Sequence, residues 1–300
     1  SCLVGDTIEL KYQVNYIAHS NPLVQFALPE GFDFNSATVS KGNYRLDPTR
    51  IVVWNLNDCD VNNYITLSLK AVKSGQFDFY HSLDNTFVGS DKLFANNYGA
   101  ILSVNDVDKY YKGPERLNIY LKDANNNPIV GENVIINING VDYKRTSDEK
   151  GIASLAINLS PGEYLAKISY NGRFGSDSKE ANINISKTII GNDIVKMFRN
   201  ATKFYAKFID TSGNPLANQA VTFNINGVFY TRNTNESGYA GLNINLRPGT
   251  YILTGYNPVN GEQEGFNTTI KALICENHDI VKYYKNDTQY TAKVYNKDGS

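Results

Sequence analysis

The stretch "INGVDYKRT" at residues 138–146 returns as "INGVFYTRN" at residues 225–233, 87 positions later. Displacing the chain by 87 residues aligns Asn105–Tyr164 with Asn192–Tyr251 without a gap, and 24 of the 60 pairs are identical. "DANNNPIVGENVIININGVDY" faces "DTSGNPLANQAVTFNINGVFY", and "DEKGIASLAINLSPGEY" faces "NESGYAGLNINLRPGTY". An echo of that length is a duplicated domain rather than a binding loop used twice. The fold class is then set by the hydrophobic period inside one copy.

That period is two. Leu117, Ile119 and Leu121 alternate with polar residues, "DANNNP" turns the chain, and Val134, Ile136 and Ile138 follow. "NG" at 139–140 is a hairpin signal, after which Val141 and Tyr143 return. Ala153, Leu155, Ile157 and Leu159 form the next inward face, and Tyr164, Ala166 and Ile168 come after "SPG". The second copy keeps the phase: Phe204, Ala206 and Phe208; Val221, Phe223 and Ile225; Ala240, Leu242, Ile244 and Leu246. Short strands at this spacing describe an immunoglobulin-like sandwich.

A third copy begins near the end. "HDIVKYYKNDTQYTAKVYNKDGS" (278–300) matches "NDIVKMFRNATKFYAKFIDTSGN" (192–214) at an offset of 86, which places the loss of one residue between Tyr251 and Tyr256. This copy holds about two strands, too few to bury a core. Residues 1–102 do not align with the repeats, yet "DTIELKYQVNY", "PLVQFALPEG", "RIVVWNLND" and "YITLSLKAV" alternate in the same way. The expected organisation is all-β, with immunoglobulin-like sandwiches at 1–102, 103–188 and 189–273 and an incomplete unit at 274–300. "NDVDKYY", "NDIVKMF" and "NHDIVKYY" open the later units directly, so linkers are short and an elongated rod is expected.

Composition narrows the function. The formal net charge is -1, which gives no electrostatic basis for binding nucleic acid or an acidic membrane surface. No apolar run reaches the ~20 residues of a membrane span. The start, "SCLVGDTIEL", lacks the basic-then-apolar pattern of a signal peptide. Three Cys and one Met are too few for a disulfide scaffold or a soft-metal site. His19, His81 and His278 fall in three regions, and no G-x-S-x-G, H-E-x-x-H, P-loop or C-x-x-C spacing occurs. Neither an enzyme nor a cofactor is expected.

The strings "D-x-x-G-N-P-L" (210–216), "NINGVFY" (224–230), "NESGYAGLNINL" (235–246) and "PGTY" (248–251) resemble bacterial-type immunoglobulin-like domains of cell-surface adhesins. Over residues 103–300 the combined pattern is similar to the Asn-rich adhesin-like proteins of methanogenic archaea. Residues 3–90 resemble the conserved repeat domain of surface proteins known as domain of unknown function eleven. That likeness is carried by "VGDTIELKYQV" (4–14), "LPEGFDFNSATVSKGNY" (28–44) and "VVWNLND…ITLSLKAVKSGQF" (52–77). The usual "NNG" turn after its second strand is replaced here by "NYIAHSNP". Both resemblances imply an extracellular, cell-anchored array used in adhesion or surface architecture.

Individual residues carry few chemical signals. Asp123, Asn125 and Asn127 begin like a calcium loop, but Pro128 stands where that loop needs Gly and no Glu follows at the twelfth position. Asp210, Ser212 and Asn214, then Asn296, Asp298 and Ser300, are their counterparts. Hairpin turns use the same residues, because their side chains bond the local backbone. Six N-x-S/T sequons occur, at Asn158, Asn184, Asn200, Asn235, Asn267 and Asn286. Cys2 and Cys59 either remain thiols or form a bridge that pins the leading strand, worth ~4 kcal/mol in the unfolded-state model. Cys275 has no intrachain candidate.

A Lys–Asn cross-link of the kind found in bacterial surface sandwiches needs a buried Lys at a fixed strand position. Lys122 becomes Ile209 and Lys167 becomes Thr254 in the second copy, so no repeated Lys is expected to qualify. Tyr110–Tyr111, Phe198 and Tyr283–Tyr284 open the units and are expected at domain junctions. The functional expectation is a non-enzymatic stalk whose partners are other cells, surface glycans or like subunits. One alternative is a filament subunit completed by a neighbour's strands. Another is a glycan- or protein-binding tip within residues 1–100.

Overall fold

The computed structural model describes residues 1–15, 21–57 and 62–300. Every helix-or-strand element among the described residues is a strand. The first nine are β1 (Cys2–Leu3), β2 (Thr7–Val14), β3 (Leu23–Ala27), β4 (Phe32–Val39), β5 (Asn43–Leu46), β6 (Ile51–Asn55), β7 (Asn63–Ala71), β8 (Gly75–Leu83) and β9 (Thr86–Asn96). They form a six-stranded sheet, β1-β9-β8-β3-β6-β5, and a three-stranded sheet, β2-β7-β4. Alternation decides which residues go inside: along β7, Ile65, Leu67, Leu69 and Ala71 are buried while Tyr64 and Lys70 face out. Phe26, Phe32, Trp54 and Phe79 fill the space between the sheets. The Trp54 indole donates to the Lys41 carbonyl at 2.9 Å, so its polar edge is satisfied. The turn "NYIAHSNP" falls partly on residues 16–20, outside the described residues.

The next eight are β10 (Ile101–Val104), β11 (Val107–Tyr110), β12 (Arg116–Lys122), β13 (Asn133–Ile138), β14 (Val141–Thr146), β15 (Ile152–Ala156), β16 (Gly162–Gly172) and β17 (Gly175–Ser186). The second repeat supplies β18 (Ile189–Gly191), β19 (Ile194–Met197), β20 (Lys203–Phe208), β21 (Ala220–Ile225), β22 (Val228–Asn233), β23 (Tyr239–Asn243), β24 (Gly249–Tyr256) and β25 (Gln263–Lys271). The two sets share one topology. Sheets β10-β12-β15 and β11-β17-β16-β13-β14 in the first become β18-β20-β23 and β19-β25-β24-β21-β22 in the second. This is the immunoglobulin-like arrangement, with the first strand divided between the two sheets. Ile101 and Leu102 already pair with Lys122 and Leu121, so this sheet begins ahead of position 103. Each "NG" is a tight hairpin turn with both residues left-handed: Asn139 at φ 52 and Gly140 at 79, Asn226 at 52 and Gly227 at 77.

The two cores are filled differently. Leu117, Leu121 and Ile136 correspond to Phe204, Phe208 and Phe223, whose rings meet at 5.7 Å in the second repeat. Volume is taken back where Ile119 becomes Ala206 and on the neighbouring sheet, where Ile168 pairs with Ile136 but Gly255 pairs with Phe223. A Cβ on Gly255 would stand 3.5 Å from the Phe208 ring. Enlargement at some core positions is thus offset by reduction at others, the kind of exchange cores tolerate best.

The position of the length change needs correction. Asn137 pairs with Lys167 and Asn224 with Thr254, while Ile135 pairs with Ser169 and Thr222 with Tyr256, so the offset of 87 survives through Tyr256. On the last strand, Asp106 binds the amide of Asn182 and Asp193 that of Asn267, an offset of 85. Two residues are therefore lost in the turn after Tyr256, and one is regained after Lys271. A single deletion inside the strand would send every later side chain to the wrong face, so the change was confined to the turn.

The chain divides into two compact units: Ser1–Val107 with Arg116–Ala156 and Tyr164–Ile183, and Asp108–Glu115 with Ile157–Glu163 and Asn184–Ser300. Inside the first unit, Asn96 Nδ2 donates to the Pro128 carbonyl at 2.9 Å and the Val130 amide to Ser1 Oγ at 2.8 Å. Inside the second, a Cβ on Gly213 would lie 2.5 Å from the Tyr110 ring, while one on Gly299 would stand in ordinary contact with Met197 at 3.8 Å. The second unit also holds β26 (Ile274–Cys275) and β27 (Lys293–Val294), an antiparallel pair equivalent to β18–β20. Val281, Tyr283 and Tyr284 are 99%, 88% and 91% exposed.

Candidate functional site

In each sandwich the entering strand lies parallel to the leaving strand. Cys2 and Leu3 of β1 pair with Ala95 and Asn96 of β9, and the Val4 amide adds a bond to the Asn96 carbonyl at 2.9 Å. Ile194, Val195, Lys196 and Met197 of β19 pair with Thr268, Thr269, Ile270 and Lys271 of β25, and the Phe198 amide extends the ladder to Lys271. β11 neighbours β17, with Asp106 at Asn182 and the Tyr111 amide on the Ser186 carbonyl, so both numbers rise together. A carboxylate starts both repeat ladders. Asp106 takes the Asn182 amide at 2.6 Å, and Asp193 takes the Asn267 amide at 2.7 Å and its Nδ2 at 2.9 Å. The Asn267 donors hold the Asp193 carboxyl below the usual carboxylate range.

The same short strand carries a buried cation. Lys109 and Lys196 are each 6% exposed. Lys196 Nζ donates to the Thr202 carbonyl at 2.9 Å and the Ile244 carbonyl at 3.1 Å; Lys109 Nζ does the same to Glu115 at 3.2 Å and Ile157 at 3.0 Å. Ile157 and Ile244 directly follow β15 and β23, strands of the opposite sheet, so each ammonium is a strut between the layers. Burial pushes both pKa values below the usual lysine value, and for Lys109 the Glu115 charge partly restores it. In the third copy Lys282 Nζ donates to the Thr288 carbonyl at 3.1 Å, the equivalent of the first of these bonds.

A recurring, buried Lys exists in the repeats at a position other than Lys122 and Lys167, of which Lys167 faces solvent. The hydrogen-bond partners of Lys196 are backbone carbonyls, which solvate an ammonium but offer no side-chain amide or carboxyl for a cross-link. The signal lay in "NDVDKYY", "NDIVKMF" and "HDIVKYY", where Lys keeps one place in all three openings.

The first half of the split strand is latched by a second carboxylate. The Leu102 amide donates to Asp177 at 2.7 Å, and the Thr188 amide to Glu262 at 2.6 Å. Thr188 Oγ1 also donates to Glu262 and accepts from Asn257 Nδ2 at 2.9 Å and Asn260 Nδ2 at 2.7 Å. Glu262 is buried with Oε1 unpartnered among the described residues, and burial pushes its pKa up.

Asp123 is 1% exposed, with its oxygens turned to N–H groups. Oδ1 accepts from the Asn125 and Asn127 amides, both at 2.9 Å, and Oδ2 from the Asn97 amide at 3.0 Å. Asp210 repeats the turn with the Ser212 and Asn214 amides at 2.8 and 2.9 Å. Calcium takes oxygen ligands, and here N–H donors stand where oxygens would be needed. No group of three or more His, Cys, Asp or Glu suited to a metal occurs among the described residues.

Cys2 lies in the first core with Sγ 3.4 Å from the Phe94 carbonyl; Cys59 lies outside the described residues. Asn158, Asn184, Asn235, Asn267 and Asn286 are exposed and Asn200 is half-buried. Asn200 Nδ2 donates to the Lys297 carbonyl, and Asn267 Nδ2 to Asp193, so in both the nitrogen that a glycan would join already makes a hydrogen bond. Within residues 1–100, a cleft of about 270 Å³ is lined by Tyr12, Val24, Phe26, His81, Leu83 and Val88. His19 lies outside the described residues.

No family model matches the chain, and no curated protein matches it. Among solved structures it is similar to the I9–I11 tandem from titin, with 12% identity over 90% of this chain and 94% of that chain, at a TM-score of 0.32. It is similar to FdeC, an Escherichia coli adhesin, with 14% identity over 89% of this chain and 93% of that chain, at 0.28. A 1.5-MDa bacterial ice-binding adhesin gives 13% identity over 90% of this chain and 92% of that chain, at 0.27.

Proposed function

We propose that the chain is a load-bearing segment of an extracellular surface protein, a non-enzymatic stalk of immunoglobulin-like sandwiches serving adhesion or surface architecture. The observation that supports this most is the parallel pairing of first and last strands, β19 with β25 and its counterparts. Tension enters a sandwich at the start of its first strand and leaves at the end of its last. When those strands are parallel neighbours, the pull runs along both and across their hydrogen bonds, which lie roughly perpendicular to it. The bonds are then loaded together in shear rather than opened singly. Lys196 and Asp193 sit on or beside the strand that bears this load. The likeness of residues 103–300 to archaeal adhesin-like proteins supplies the proposed setting, a cell surface.

Single-molecule pulling tests the reading. The force needed to open the second repeat through its chain ends is compared with the force through handles at Asn218 and Asn235, the open end of the β21–β22 hairpin. The hairpin opens one bond at a time and is expected to yield at the lower force. Equal forces along the two directions would remove the mechanical argument.

A further inference from the structure

The duplication allows the two repeats to be compared face by face, and on the outward side of the five-stranded sheet they differ in charge. In the first repeat that side exposes Asp108, Asp142, Lys144, Glu163, Lys167 and Glu180. Their counterparts in the second, at offset 87 and at 85 on the last strand, are Val195, Phe229, Thr231, Thr250, Thr254 and Gly265. All six charges are gone. Charges elsewhere persist, as in Arg116 to Lys203, Arg145 to Arg232 and Glu149 to Glu236. Elsewhere losses such as Lys122 to Ile209 and Asp148 to Asn235 are mixed with gains such as Tyr120 to Lys207 and Ser160 to Arg247, whereas on this face the six charges all go.

Uncharged hydrogen-bonding groups and two rings remain, with the exposed aliphatic side chains of Val195 and Ile252 between them. Thr222, Thr231, Thr250 and Thr254 present hydroxyls, and Asn224 and Gln263 present amides. Phe229 is 65% exposed, with its ring centroid 5.9 Å from that of Tyr256. The charges left are at the margins: Asp193, engaged with Asn267, and Lys271 at the end of β25. We infer that this face binds an uncharged polysaccharide.

Three features select that occupant. Hydroxyls and amides both donate and accept, as sugar hydroxyls do, so pairing is possible without a charged partner. The two rings offer apolar platforms for the C–H faces of sugar rings. Five strands spaced ~4.8 Å apart, with outward residues ~7 Å apart along each, give a patch of ~400 Å², which spans a few sugar units. A standard protein interface needs ~800 Å² from each partner. The absence of charge disfavours acidic polysaccharides and charged peptides alike.

The test is native gel electrophoresis of the full chain with dissolved hydroxyethylcellulose, xyloglucan, galactomannan or starch, against polygalacturonate and hyaluronan. At least one neutral polymer is expected to retard the chain, and neither acidic one. The variant carrying Val195→Asp, Phe229→Asp, Thr231→Lys, Thr250→Glu, Thr254→Lys and Gly265→Glu bears residues the first repeat already accommodates at these positions. It is expected to lose the retardation while melting as the parent does. A milder pair, Phe229→Ser with Tyr256→Ser, should show the same loss if the larger variant melts early. Retardation by no neutral polymer, equal retardation by acidic ones, or retention in a folded variant each overturns the inference. Self-association that the six changes abolish, without retardation by any polymer, also overturns it and assigns the face to a second copy of the chain. The load-bearing reading uses no outward group of this face, so neither result bears on it.

Discussion

Replacing Lys196 with Met keeps an unbranched stem of similar length and deletes the ammonium. Two carbonyls, of Thr202 and Ile244, then lose their donor in a site where the original side chain is 6% exposed. Hydrogen bonds to charged groups contribute ~1.5–3 kcal/mol each, and a buried acceptor left unmade costs ~1–3 kcal/mol. Against this stands relief from burying a cation with no carboxylate partner, which offsets part of the loss. The balance is a destabilisation of ~2–4 kcal/mol, or ~10–25 °C in the melting of a domain this size. Differential scanning calorimetry of the full chain should show one transition moving down, and Lys109→Met should move a different one. A shift below ~2 °C, under ~0.5 kcal/mol for such a domain, would refute the strut. The pH dependence supplies a second check. Burial lowers the folded pKa of Lys196, so between that lowered value and the unfolded 10.5 the unfolded chain binds more protons than the folded one. Stability therefore rises with pH across that window in the parent, and the Met variant should lack this rise.

Other consequences can be measured as simply. The raised pKa of Glu262 means the folded state holds its proton to higher pH, so stability is greatest below the unfolded pKa and declines as pH rises through the folded value. Glu262→Gln should flatten that decline in a pH series of thermal melts, and an unchanged slope would assign it to another group. Gly213 has φ +86 and faces the Tyr110 ring, so Gly213→Ala should cost ~1–2 kcal/mol from the backbone alone. Adding Tyr110→Ala should recover only the part due to the clash, as read by chemical denaturation. Asp123→Ala removes the acceptor of the Asn97, Asn125 and Asn127 amides and should destabilise by ~2–4 kcal/mol. Millimolar calcium should leave the melting of the parent unchanged; a calcium-dependent rise would restore the ion-site reading of this turn.

Strand positions were legible because period-two alternation and "NG" turns are local signals, and Ile138–Val141 and Ile225–Val228 close as such turns demand. The parallel ladders were not legible, since β19 and β25 lie more than sixty residues apart and parallel pairing leaves no turn between its partners. The buried lysines were hidden for a different reason. A lysine in the inward phase reads as an error in the pattern until the carbonyls that solvate it are seen, and Thr202 and Ile244 contribute backbone rather than side chains. The length change was misplaced because identity was weighed without register. Tyr164 and Tyr170 look like Tyr251 and Tyr256, yet the sheet sets Ser169, not Tyr170, in the place that Tyr256 takes.

Neighbouring domains of similar sequence risk exchanging strands while they fold, a recognised route to misassembly in tandem proteins. The exchange of Ile168 for Gly255 beneath enlarged rings works against it. If the strand bearing Ile168 entered the second sandwich, its side chain would collide with Phe208 and Phe223, an overpacking cost of ~1–3 kcal/mol. The reverse intrusion would leave a void beside Ile136. Two nearly interchangeable blueprints are thus kept apart by incompatible interiors, and each copy recognises its own strands by size.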